Sequence, residues 1–150
     1  MIIAGTGHRP DKIKDASKVA ERCIKHLEEL KPEFVITGMA IGFDTILAES
    51  CVHLNIPFKA YVPCQGQENL WRPADQRKYL RLLEKAQDFI LVSDGDYAPW
   101  KMHKRNERMV NDADLILAYW DGSTGGTGNC IIYATRKNKR IVNIHEKATT

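Results

Sequence analysis

Four segments of the chain carry residue types that could hold a phosphorylated ligand. The first is Gly5-Thr6-Gly7-His8-Arg9-Pro10. Two glycines permit a tight turn and a close backbone approach to an anion. The dinucleotide fingerprint is not met, because Pro10 stands at the third glycine and Gly38, not an acid, ends the second strand. That argues against an NAD dehydrogenase. The competing reading is a plain strand-to-loop turn with His8 and Arg9 on the surface.

The second segment, Thr37-Gly38-Met39-Ala40-Ile41-Gly42-Phe43-Asp44, opens a helix. Unpaired N–H groups and the helix dipole favour a phosphate there. Asp44 is either the helix N-cap or an acceptor for a ribose hydroxyl. The third segment runs Asp121-Gly122-Ser123-Thr124-Gly125-Gly126-Thr127-Gly128-Asn129. Its glycines expose consecutive N–H groups ahead of a helix, which makes it the best phosphate loop of the chain. Asn129 stands where a Walker loop needs lysine. The fourth is Met102-His103-Lys104-Arg105-Asn106-Glu107-Arg108-Met109. Arg105 and Arg108 share one helical face, so the run is either a solvated charged face or a source of guanidinium for a phosphate.

These segments must be carried by alternating strands and helices. Strands are expected at Met1–Ala4, Phe34–Thr37, Phe58–Val62, Asp88–Val92, Leu115–Ala118 and Arg140–Ile144. Helical periodicity appears from Asp15 or Ser17 to Leu30, then over Asp44–Leu54, Ala74–Lys85 and Met102–Asn111, and last from the glycine loop to about Asn138. Strands apolar on both faces, alternating with helices, predict a single Rossmann-like α/β domain. Its sheet is mostly parallel, with helices on both faces. The core is expected over residues 1–144, with a frayed tail from His145 to Thr150. Ligands of such sheets bind at the carboxyl ends of the strands.

The chain has 150 residues, of which 43% are hydrophobic and 27% charged, and a net charge of +3. That suits one domain and is too weak a charge to specify nucleic acid by itself. No apolar run reaches membrane length, and the start lacks a signal-peptide pattern, so a cytoplasmic protein with no membrane partner is expected. The cysteines at 23, 51, 64 and 130 form no metal-binding spacing. They are expected to be reduced and buried, with no metal and no bound cofactor. Trp71 and Trp100 flank loops that could close over an aromatic base, with ordinary packing as the alternative. Asp112 and Asp114 read as turn residues.

Taken together, Gly5-Thr6-Gly7-His8-Arg9, the Thr37–Asp44 loop, Arg105-Asn106 and Gly125-Gly126-Thr127-Gly128 resemble the SLOG superfamily. That Rossmann-like group contains the DNA-processing protein DprA and the LOG phosphoribohydrolases. The resemblance extends from Met1 to about Asn143 and is closest to the YpsA-like branch of bacterial and phage proteins. It implies a nucleotide or nucleotide-derived ligand, such as an ADP-ribose-like molecule or a nucleoside phosphate. Candidate contacts are Gly5, Thr6, Gly7, His8 and Arg9 in the first loop, and Gly38, Met39, Ala40, Gly42 and Asp44 in the second. Arg105, Asn106, Gly125, Gly126, Thr127 and Gly128 complete the set.

Two departures bear on activity. The LOG pattern Met-His-x-Arg-Lys-x-x-Met has Asn106 in place of its lysine. Cys130 stands where the LOG pattern has its catalytic glutamate. An N-glycosidase or nucleoside deoxyribosyltransferase would need another carboxylate, with Asp94, Asp121 and Glu107 as the substitutes, so catalytic residues stay unassigned. A single-stranded DNA-binding module like DprA is the third reading. The basic helix favours it, and the lack of an aromatic–basic stripe disfavours it. Homo-oligomerisation is left open.

Overall fold

The computed structural model describes residues 1–147. Six strands, β1 (Ile2–Gly7), β2 (Phe34–Thr37), β3 (Phe58–Val62), β4 (Asp88–Leu91), β5 (Leu115–Tyr119) and β6 (Arg140–Asn143), form one sheet. Five helices connect them: α1 (Ala16–Leu30), α2 (Phe43–Leu54), α3 (Pro73–Lys85), α4 (Pro99–Asp112) and α5 (Gly126–Arg136). The strand order is β4-β3-β2-β1-β5-β6 and every neighbouring pair is parallel.

Period-two alternation gives the sheet two buried faces. Ile3, Val35, Leu115 and Leu117 meet Leu27 of α1, Leu47 of α2 and Leu82 of α3. Ala4, Ile36 and Ile116 meet Met109 of α4 and Ala134 of α5. The chain steps outward from β1 to β4, then returns to lay β5 against the other side of β1. That reversal leaves a crevice at the carboxyl ends of β1 and β5, where open α/β sheets take ligands.

Local signals set most element ends. Asp15 caps α1 by accepting from the Lys18 N–H at 3.3 Å. Asn55, at φ 57°, closes α2 in the left-handed conformation. Pro73 and Pro99 stand in the first turns of α3 and α4, where a missing N–H costs nothing.

Several expectations need correction. β1 runs to Gly7, so Gly5 and Gly7 belong to a strand rather than a turn. Pairing with β5 extends it, because Gly5, Thr6 and Gly7 lie in register with Leu117, Ala118 and Tyr119. α4 begins at Pro99, which puts Trp100 inside a helix. Gly42, not Asp44, is the N-cap of α2. Asp112 and Asp114 are more than turn residues: Asp112 accepts from the Tyr61 hydroxyl at 2.6 Å and Asp114 from the Ile2 N–H at 2.7 Å. The start of the supposed tail is packed. His145 is 4% exposed, its ring 4.7 Å from that of Tyr119, and Tyr119 donates to Glu146 at 2.9 Å. The rest of that tail, 148–150, lies outside the described residues.

Candidate functional site

A cleft of about 310 Å³ opens at the carboxyl ends of β1 and β5. β1 delivers Gly5, Thr6 and Gly7 to its floor, with His8 and Arg9 just beyond. The two glycines serve packing first. A Cβ at Gly7 would lie 2.5 Å from Phe43, and one at Gly5 would overlap the Leu47 side chain. Their absence lets α2 press onto the sheet below the cleft.

Three amides of the β2–α2 segment are already bonded. Met39 N–H donates to Thr37 Oγ1 at 3.3 Å, Ala40 N–H to Asp44 Oδ2 at 3.2 Å and Phe43 N–H to the His8 carbonyl at 3.0 Å. Gly42 takes φ 101°, and a Cβ there would sit 2.5 Å from the His8 carbonyl oxygen. The backbone of β1 therefore meets the start of α2 at Gly42 and takes the Phe43 amide. Gly38, Met39 and Gly42 lie behind the cleft, and Met39 is 1% exposed. Ala40 and Asp44 reach the cleft wall. The hydrogen bonds of the Asp44 carboxylate use Oδ2, which leaves Oδ1 available.

Arg105 reaches the floor from α4 and is 3% exposed. Its Nη1 donates to the carbonyls of Gly38 at 2.7 Å and Tyr61 at 3.2 Å, and its Nε to Asn106 Oδ1 at 2.9 Å. The guanidinium ties α4 to the ends of β2 and β3. Arg105 and Asn106 both still border the cleft. Burial pushes the Asp44 carboxyl above its usual range, and the Arg105 charge pulls it back. Burial lowers Arg105 likewise, although a guanidinium stays protonated.

The opposite wall is the β5–α5 loop. Gly125 (φ 140°) is the N-cap and supplies no side-chain acceptor, and the first helical bond is Asn129 N–H to the Gly125 carbonyl at 2.8 Å. Among the described residues the amides of Gly126, Thr127 and Gly128 have no protein acceptor, as the first turn of an uncapped helix requires. Gly125 to Gly128 all line the cleft. A Cβ at Gly126 would meet nothing within 4 Å, whereas one at Gly128 would lie 2.8 Å from the Ser123 carbonyl oxygen. Trp120 Nε1 also donates to that carbonyl at 2.8 Å, which fixes the loop.

Asp121 joins the two walls. Its Oδ1 accepts from Ser123 N–H and lies 2.9 Å from His8 Nε2. These contacts, the Ser123 bonds foremost, hold its carboxyl well below the usual range. The Asp121 N–H also lies 2.9 Å from His8 Nε2, so a neutral Nε2 accepts the amide and a protonated one donates to the carboxylate. Lys12 Nζ donates to Ser123 Oγ at 2.8 Å. Arg9 is exposed and, among the described residues, makes no side-chain hydrogen bond or ion pair.

The sequence reading missed Asp11, Lys12, Met102, His103 and Thr124, which also line the cleft. Proximity to the chosen motifs was the available signal, since each is within a few positions of one. The substitute acids Asp94, Glu107 and Asp121 are not on its lining, whereas Asp44 is. Cys130 is buried at 5% exposure; burial pushes its thiol up, opposed by a hydrogen bond with Thr6. Trp71 packs edge-on against Tyr79, while Trp100 is 57% exposed beneath Lys104. Among the described residues no helix is long and apolar enough to cross a membrane.

The SPbeta prophage-derived protein YoqJ of Bacillus subtilis is 33% identical over 141 residues, covering 79% of this chain and 81% of YoqJ. Among solved structures, DNA processing protein A of Helicobacter pylori superposes with a TM-score of 0.72 at 13% identity, over 94% of this chain and 63% of that one. The molybdenum cofactor carrier protein of Chlamydomonas reinhardtii gives a TM-score of 0.63 at 12% identity, over 95% of this chain and 74% of the carrier. This chain also spans 48% of the DNA processing protein A chain of Streptococcus pneumoniae. At such identities the structural likeness is one of fold. The match to the YspA SLOG family covers residues 7–148, and the chain belongs to that family.

Proposed function

We propose that the cleft binds a nucleotide or nucleotide-derived molecule with its phosphate on the first turn of α5. The observation that carries this is the uncapped run Gly126-Thr127-Gly128, whose amides open onto the same cleft as Arg9 and Lys12. Amides at a helix start attract anions, and a nearby guanidinium adds a charge-assisted bond. Asp44 Oδ1 is suited to accept from a ribose hydroxyl. Gly5, Thr6 and Gly7 form the floor between phosphate and sugar. The similar folds of a molybdenum cofactor carrier protein and of a single-stranded DNA-binding protein support a ligand-binding role.

Binding fits these residues better than N-glycoside cleavage. The catalytic carboxylate position holds Cys130, a buried neutral thiol. Native mass spectrometry of protein purified from cells tests the reading: a copurified nucleotide gives its mass and stoichiometry. Calorimetry with ribose 5-phosphate and ADP-ribose then measures affinity, and no binding of either would sink the proposal.

A second reading rests on Tyr97 and Trp100, exposed at 63% and 57% and accompanied by Lys104. Exposed aromatics beside a cation can stack bases of single-stranded DNA. Affinity for an oligonucleotide that falls steeply with salt and is lost in Trp100→Ala would favour it.

A further inference from the structure

A smaller chamber of about 120 Å³ lies between α4 and α5 and shares His103 and Asn106 with the main cleft. Glu107, Asn129, Cys130 and Tyr133 complete its lining. It is too small for sugar and phosphate together, since sites for whole ligands run from about 300 Å³ upward. Its position beside the first turn of α5 suits the flat end of a molecule whose phosphate sits on that turn.

We propose that this chamber reads the base of the bound nucleotide and is built for the hydrogen-bonding edge of guanine. The inference rests on the nucleotide reading above. Asn106 is oriented by its neighbour: Arg105 Nε is a donor, so the atom 2.9 Å from it must be the Asn106 oxygen. That leaves Nδ2 as a donor. Glu107 is exposed, and among the described residues its carboxylate makes no hydrogen bond or ion pair. A carboxylate accepts two parallel hydrogen bonds well.

Asn106 thus offers the chamber a donor and Glu107 a two-pronged acceptor, beside the polar side chains of His103 and Asn129. Guanine presents O6 as an acceptor beside N1–H and N2–H as adjacent donors. Adenine and cytosine pair an amino donor with a ring-nitrogen acceptor, and uracil has a single N–H between two carbonyls. Guanine alone among the four gives the carboxylate two hydrogens and the amide one acceptor. Tyr133 supplies an aromatic wall held by its hydroxyl, which donates to Asn111 Oδ1 at 2.9 Å. Cys130, buried and uncharged, completes the wall on the α5 side.

Calorimetry of the full chain with GMP, AMP, CMP, UMP and ribose 5-phosphate tests this. GMP should bind at least about tenfold more tightly than UMP, the return from hydrogen bonds to a charged group. Glu107→Gln should bring GMP down to the level of the other nucleotides, with an unchanged circular dichroism spectrum. Equal affinities for the four nucleotides, or a preference for another base, would overturn the base reading while leaving the phosphate site standing. Failure of ribose 5-phosphate and every nucleotide to bind would overturn both.

Discussion

Arg105 Nη1 donates to the Gly38 carbonyl at 2.7 Å and fills the space a side chain at position 38 would need. A Cβ on Gly38 would lie 2.6 Å from Arg105 Cζ and 3.0 Å from Asp44 Oδ2. One glycine thus admits a buried cation and a buried carboxylate to the floor of the cleft. Arg105 is accordingly a structural tie as well as a cleft residue.

Arg105→Ala should destabilise the fold by about 1–3 kcal/mol, the usual cost of removing one partner from buried hydrogen bonds. It takes a donor from the Tyr61 carbonyl and the shorter of two donors from the Gly38 carbonyl, which keeps Gln67 Nε2 at 3.3 Å, and it removes one of the two cations acting on Asp44. Urea unfolding measures the loss. Arg108→Ala is the control, since Arg108 is 47% exposed and 3.8 Å from Asp112; its effect should stay below about 1 kcal/mol.

Arg9, rather than Arg105, is the residue to change when probing anion binding. Arg9→Ala should leave thermal stability unchanged, because the side chain is exposed and makes no hydrogen bond or ion pair among the described residues. Affinity for ribose 5-phosphate should fall about ten- to a hundredfold, matching one charge-assisted hydrogen bond. Calorimetry on the variant decides it, and an unchanged affinity would place the phosphate elsewhere.

Glycines at the two walls should respond oppositely to alanine. Gly7→Ala sets a methyl 2.5 Å from Phe43 and should cost about 1–3 kcal/mol, as overpacking does. Gly126→Ala meets nothing within 4 Å and should keep its melting temperature. It should nevertheless weaken phosphate binding, because the methyl projects beside the amides that receive the anion. Melting curves with and without ribose 5-phosphate separate the two effects.

Asp44 and Asp121 should give stability opposite pH signatures. Burial raises Asp44, so its folded form holds a proton that the unfolded form releases, and stability falls as pH rises above 3.8 through the folded pKa. Relative to Asp44→Asn, the wild type should lose stability across that window. Asp121 is lowered, mainly by its bonds to Ser123. Its contribution is present above 3.8 and is lost as pH falls through the folded pKa. The gap between wild type and Asp121→Asn should therefore shrink on acidification. Urea titrations from neutral pH into acid measure both slopes.

Much of the architecture is legible in the residues alone. Asp15 and Asn55 act on the backbone within a turn of their own positions, so the start of α1 and the end of α2 follow from local rules. Apolar runs at Val35-Ile36 and Leu115-Ile116-Leu117 require a sheet covered on both faces. The Gly125–Gly128 loop announces an uncapped helix start because glycines lack side chains that could cap it or shield its amides. Other assignments needed tertiary structure. Gly5 and Gly7 look like an anion loop until α2 is seen pressing on them. The Phe43 amide at the start of α2 looks free until the His8 carbonyl is found on it. Arg105 looks like a surface charge until Gly38 and Tyr61, 67 and 44 positions away, supply its acceptors. His8 and Asp121 are 113 positions apart, and only the pairing of β1 with β5 brings them together. Backbone preference and periodicity act over a few residues. Burial and partner choice depend on which strands become neighbours, and that order was decided by packing across the whole sheet.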